Sequence, residues 1–120
     1  MKVLDTYAIL EIFSQNKKFE HLLNEEVFIA DLTMSEAWGT LYKKFNKRTA
    51  DFWLNKFVSI CAQVNLNTLI KAREFKILNA KKDLSFIDCV GYTYAKEKGY
   101  VFVTGDKEFQ NLPNVEYIKS

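Results

Sequence analysis

Short apolar runs alternate with stretches of helical periodicity along the whole chain, and this alternation constrains the fold more than any other feature. Val3–Leu4, Val27–Ala30, a weaker Val64–Leu66, Tyr100–Thr104 and Val115–Ile118 read as strands. They are short and mostly unbroken by polar residues, the pattern of parallel strands covered on both faces. Between them, Asp51–Cys61 sets Trp53, Leu54, Phe57, Val58 and Cys61 on one helical face. Thr33–Phe45 does the same with Met34, Ala37, Trp38, Leu41 and Phe45. Ser85–Lys98 buries Phe86, Cys89, Val90 and Tyr94 and stops at Gly99, a residue suited to the position just past a helix. Helices near Thr6–Ser14, Phe19–Asn24 and Leu69–Ala80 complete the series. Strands alternating with helices imply right-handed crossovers, hence a single doubly wound α/β/α domain over residues 1–120. Its sheet is expected to be mostly parallel with about five strands, and the two tryptophans are assigned to its core.

A chain of 120 residues can bury a substantial core without a second domain. No apolar stretch is long enough to span a membrane, and the N-terminus meets Asp5 before any signal-like apolar segment forms. Cys61 and Cys89 form no CxxC pair and read as reduced core thiols of a cytoplasmic protein. His21, the one histidine, cannot alone supply a zinc site or a histidine-based triad.

The acids are more informative. In an open α/β sheet the ligand site lies beyond the carboxyl ends of the strands. Asp5 ends the first strand, Asp31 and Glu36 follow the second, and Asp106 follows the fourth across Gly105. Asp88 falls in the first turn of the Ser85–Lys98 helix, and Glu36 is placed in the first turn of its own. Each has a structural use as well: Thr33–Glu36 and Ser85–Asp88 resemble capping boxes, and Asp5 and Asp106 can cap the helices they precede. Caps, however, do not need to gather, and carboxylates drawn together repel one another unless a cation holds them. A hard divalent ion such as Mg²⁺ takes oxygen ligands of this kind together with substrate phosphate.

These residues also form a known pattern. Met1-Lys2-Val3-Leu4-Asp5-Thr6 resembles the opening of PIN-domain ribonucleases, and Ser35-Glu36 their second acidic motif. Leu84-Ser85-Phe86-Ile87-Asp88-Cys89 resembles the third, and Val103-Thr104-Gly105-Asp106 with Phe109 the closing one. The order holds over the whole chain, and the size is similar to that of VapC-type toxins. Cys89 departs from the alanine common after the third acid. The resemblance implies a cytoplasmic endoribonuclease using Mg²⁺ or Mn²⁺ bound by Asp5, Asp88, Asp106 and Glu36. It implies Thr104 as the hydroxyl beside the acids, a small antitoxin partner, a homodimer and no membrane contact.

A HAD-type phosphatase would need an acid where Tyr7 stands, and a glycine-rich phosphate loop is absent. A catalytically silent RNA- or protein-binding module has no evident use for the four acids. Charge adds one hint, since residues 41–82 carry ten basic side chains against two acids while the remainder is net −6. A continuous helix would set Glu36, Thr40, Lys43 and Lys47 on one stripe, making Lys43 and Lys47 RNA-binding candidates. The same lysines also suit a merely solvated helix face.

Overall fold

The computed structural model describes residues 1–119. Its five strands are β1 (Lys2–Leu4), β2 (Val27–Ala30), β3 (Cys61–Ala62), β4 (Val101–Thr104) and β5 (Val115–Tyr117). All pair in parallel, in the order β3-β2-β1-β4-β5. The helices are α1 (Thr6–Phe13), α2 (Asp31–Lys44), α3 (Lys47–Phe57), α4 (Leu66–Leu78) and α5 (Phe86–Lys98), with 3₁₀ turns at Lys17–Asn24, Val58–Ile60 and Lys107–Phe109. None is long and apolar enough to cross a membrane among the described residues.

Strand alternation divides the core in two. Leu4, Ile29 and Val103 pack with Ala8, Ile9, Met34 and Phe57 of α1, α2 and α3. Val3 and Phe102 point the other way, against Ala72, Cys89, Val90 and Tyr92 of α4 and α5. With both faces covered, strands of two to four residues suffice, and the α/β architecture read from the sequence is the one observed.

Several boundaries differ from expectation. The third strand is Cys61–Ala62 and not Val64–Leu66, because Asn65 accepts the Thr68 N–H at 2.9 Å and starts α4 at Leu66. Cys61 is therefore a strand residue, and the Asp51–Cys61 helix is α3, capped by Asn46 and tightening to 3₁₀ after Phe57. Phe19–Asn24 is 3₁₀ as well. The second long helix starts at Asp31, with no side-chain cap, so the Thr33–Glu36 capping box does not form and Glu36 sits in the second turn. Asn46 breaks the chain between α2 and α3, so Lys47 opens a different helix and does not extend the stripe of Glu36, Thr40 and Lys43. Neither tryptophan is fully buried.

Candidate active site

From β1 the chain proceeds outward through β2 to β3, then returns to the other side of β1 for β4 and β5. The topological switch therefore lies between β1 and β4, and in such sheets the crevice at the carboxyl ends of those strands binds ligand. A cleft of about 370 Å³ opens there, lined by Asp5, Glu36, Asp88 and Asp106 together with Thr6, Tyr7 and Gly105. Four acids from four distant segments meet in it.

Asp5 is the most constrained of them, at 2% exposure. Its Oδ1 accepts the Ala8 N–H at 2.6 Å, the cap of α1, and its Oδ2 accepts the Gly105 N–H at 3.2 Å. Thr104, fully buried at the end of β4, favours the charged form of the same carboxylate, and its Oγ1 accepts the Asp106 N–H at 3.0 Å. Its hydroxyl thus stands beside both the first acid and the last. Asp106 in turn caps the Lys107–Phe109 turn by accepting the Glu108 N–H at 2.9 Å. Asp88 is at the third position of α5, its N–H on Ser85 Oγ at 3.1 Å. Glu36 is more exposed, and its Oε1 accepts the Thr6 hydroxyl at 2.5 Å.

The electrostatics go beyond capping. Burial pushes Asp5 from the ordinary 3.8 up to about 7, outweighing its hydrogen bonds, and the Asp88 charge adds to the rise. Burial likewise lifts Asp88 to about 6, with Asp106 and Glu36 repelling its charged form. None of the four acids has a Lys, Arg or His within ion-pair distance among the described residues. A cap needs one accepting oxygen and no company, whereas four uncompensated carboxylates in one cleft suit a divalent cation. No three of them close into a metal cage among the described residues.

The other sequence candidates separate. Asp31 turns away: its Oδ2 accepts the Val64 N–H at 3.3 Å, and it lines another groove with Trp38 and Cys61. Lys47 pairs with Asp51 at 2.9 Å, and Lys43 is exposed. The sequence assigns neither Tyr7 nor Gly105 to the site, although Gly105 lies within a motif. A Cβ at Gly105 would lie 2.1 Å from the nearest carbon of the Tyr7 ring, and no local pattern announces a clash between residues almost a hundred positions apart.

A pH experiment checks the uncompensated state. An acid whose folded pKa is raised stabilises the fold below its unfolded pKa and loses that contribution as pH rises through the folded value. With metal removed by EDTA, stability is expected to fall between pH 4 and pH 7, because Asp5 and Asp88 titrate there only in the folded chain. Asp5→Asn, which still caps, should flatten the fall in thermal melts. Stability that rises over this window in the wild type would show that the cluster is already neutralised.

The PIN domain family model matches residues 2–115. No curated protein matches the chain. Among solved structures, the Mycobacterium tuberculosis sarcin–ricin-loop-cleaving toxin VapC20 is 18% identical, each chain covered in full, at a TM-score of 0.80. A toxin–antitoxin complex from Klebsiella pneumoniae is 15% identical, again with full coverage of both chains, at 0.79. The DNA-bound VapBC of Salmonella typhimurium is 17% identical over 98% of this chain and 96% of that one, at 0.75. At these identities the solved structures establish a shared fold, and the match over residues 2–115 goes further: the chain belongs to the PIN domain family.

Proposed function

We propose that this protein is an endoribonuclease that hydrolyses RNA phosphodiesters with Mg²⁺ or Mn²⁺, and that it is the toxin of a toxin–antitoxin pair. The convergence of Asp5, Glu36, Asp88 and Asp106 on one cleft at the switch point, without a cationic partner among the described residues, carries this reading. Asp5, Asp88 and Asp106 would hold the ion, and Glu36 would reach it through water. When bound, a divalent ion activates an attacking water and neutralises charge at the phosphate. The chain's own groups do the positioning. Gly105 N–H and Ala8 N–H fix Asp5, with Thr104 beside it, and Thr6 fixes one oxygen of Glu36, leaving the other to accept a hydrogen bond from water. The basic segment of residues 41–82 supplies attraction for a polyanion. The likeness to toxin–antitoxin complexes supports an antitoxin partner; a small antitoxin that covers the cleft and a homodimeric cytoplasmic form belong to the same proposal.

The test is a cleavage assay on unstructured and hairpin RNA with purified protein. Turnover should require Mg²⁺ or Mn²⁺ and stop with EDTA. Binding of RNA without metal-dependent cleavage under any divalent ion would reassign the protein as a silent binding module.

A further inference from the structure

Between α2 and the start of α3 lies a second groove, of about 450 Å³, lined by Trp38, Gly39, Tyr42, Lys43 and Lys47. The rings of Trp38 and Tyr42 sit 5.2 Å apart at 42°, and Tyr42 leaves 47% of its surface in solvent. Trp38 is held in place: its Nε1 donates to Asp51 Oδ1 at 3.0 Å, and Lys47 bonds the other oxygen of Asp51 at 2.9 Å. A fixed indole beside a half-exposed phenol is a preorganised aromatic surface, and Lys43 and Lys47 line it, with Lys44 and Arg48 next to them in the sequence. A packing surface for a neutral apolar partner gains nothing from that charge, whereas unpaired nucleic acid uses both features, bases stacking on aromatic rings while lysines take phosphates.

The groove lies round α2 from the acid cleft. Going round α2 from Glu36, the side chains follow in the order Lys43, Gly39, Tyr42, Trp38 within about 160°. Glu36 and Tyr42 are separated by about 9 Å along the axis. Gly39 lies midway, and a Cβ there would meet nothing within 4 Å, so the ridge is low where a strand would cross it. We infer that Trp38 and Tyr42 form a base-stacking subsite for a single-stranded stretch of RNA that crosses α2 at Gly39 on leaving the acid cleft, with Lys43 on its phosphate. This deepens the ribonuclease reading and rests on it.

The experiment uses the full chain in EDTA, which stops turnover, with two labelled probes of equal charge: a 12-mer of adenylate and a 12-mer of abasic ribose phosphate. Wild type should bind the adenylate probe more tightly than the abasic one. Tyr42→Ala should weaken adenylate binding about ten-fold, the scale of one lost stack, and leave the abasic probe unchanged, while Tyr42→Phe should keep the preference. Lys43→Ala should instead weaken both probes and lower the salt dependence by about 0.7 in slope. Equal binding of both probes by wild type, or a preference that survives Tyr42→Ala, overturns the stacking subsite while leaving the ribonuclease reading in place. Failure of wild type to bind either probe overturns the subsite, while the ribonuclease reading stands or falls by the metal-dependent cleavage assay. If Tyr42→Ala changes the oligomeric state in light scattering but not the RNA affinity, the surface is a protein contact and the inference falls.

Discussion

Asp88→Asn and Asp106→Asn are expected to lower RNA cleavage by several orders of magnitude while leaving the melting temperature in EDTA unchanged or higher. The sign of the stability effect is the informative part. Asp88 is held partly buried beside Asp106 and Glu36, and its pKa of about 6 shows that the fold disfavours its charge. Asn removes the charge, keeps the shape and leaves the Ser85 cap of α5, which uses only the Asp88 backbone N–H, in place. Asp106→Asn similarly keeps an oxygen to accept the Glu108 N–H. Relief of repulsion should also hold RNA affinity constant or raise it, so the loss would appear in the chemical step. If the acids were only caps, the pattern would invert, with stability down by about 1 kcal/mol and no selective loss of cleavage. Cleavage and thermal melts on the same preparations decide between them, and cleavage persisting in both variants would sink the assignment.

Gly105→Ala should be nearly as damaging, from a residue that bears no functional group. The added methyl would occupy the space of the Tyr7 ring near its attachment point, where the side chain cannot swing clear cheaply. Tyr7 also packs edge-on against Phe19, at 5.8 Å between centroids, and its hydroxyl is buried without a hydrogen-bond partner among the described residues. Something must shift, and the backbone most exposed to the push is the Thr104–Asp106 turn, which donates to Asp5 through the Gly105 N–H and carries Asp106. A displacement of about 1 Å at such a site costs on the order of 100-fold in rate, and overpacking of this kind about 1–3 kcal/mol in stability. The steric cause has its own control. Tyr7→Leu in the Gly105→Ala background should restore cleavage and melting temperature together, a coupling that independent defects would not show. Additive losses in the double variant would mean that the Tyr7 ring is not what excludes a side chain at residue 105.

Much of this was legible along the chain because its signals are local. Ser85 accepts a backbone N–H at the start of α5, and Gly99 ends that helix at φ 72°. Asp5 at the end of an apolar run and Asp88 after Ser85-Phe86-Ile87 could be placed from the same kind of information. Errors arose where two local signals competed. Val64–Leu66 alternates like a strand, but the Asn65 cap draws Leu66 into α4. Thr33 precedes Glu36 at cap spacing, but α2 has already begun at Asp31, and Thr33 is buried within it. Lys47 fits the α2 stripe only if the helix continues, and Asn46 ends it. Trp38 counts as apolar in any pattern, yet its indole N–H finds Asp51 and its ring borders solvent.

The alternation of strands and helices, the two-sided covering of the sheet and the acids available near strand ends can be read along the chain. Periodicity and capping act over a few residues, a cap being worth about 1 kcal/mol, so they can be read where they occur. Which acids meet follows from tertiary packing. The strand order places β1 between β2 and β4, and that brings Gly105 onto a carboxylate 100 positions earlier. It turns Asp31 toward Val64 and out of the cleft, and it raises the pKa of Asp5 by closing the core around it. It also sets Tyr7 against Gly105 and opens the Trp38–Tyr42 groove beside Lys43. These are properties of register and packing between distant segments, where burial and mutual charge outweigh the local preference of any one residue.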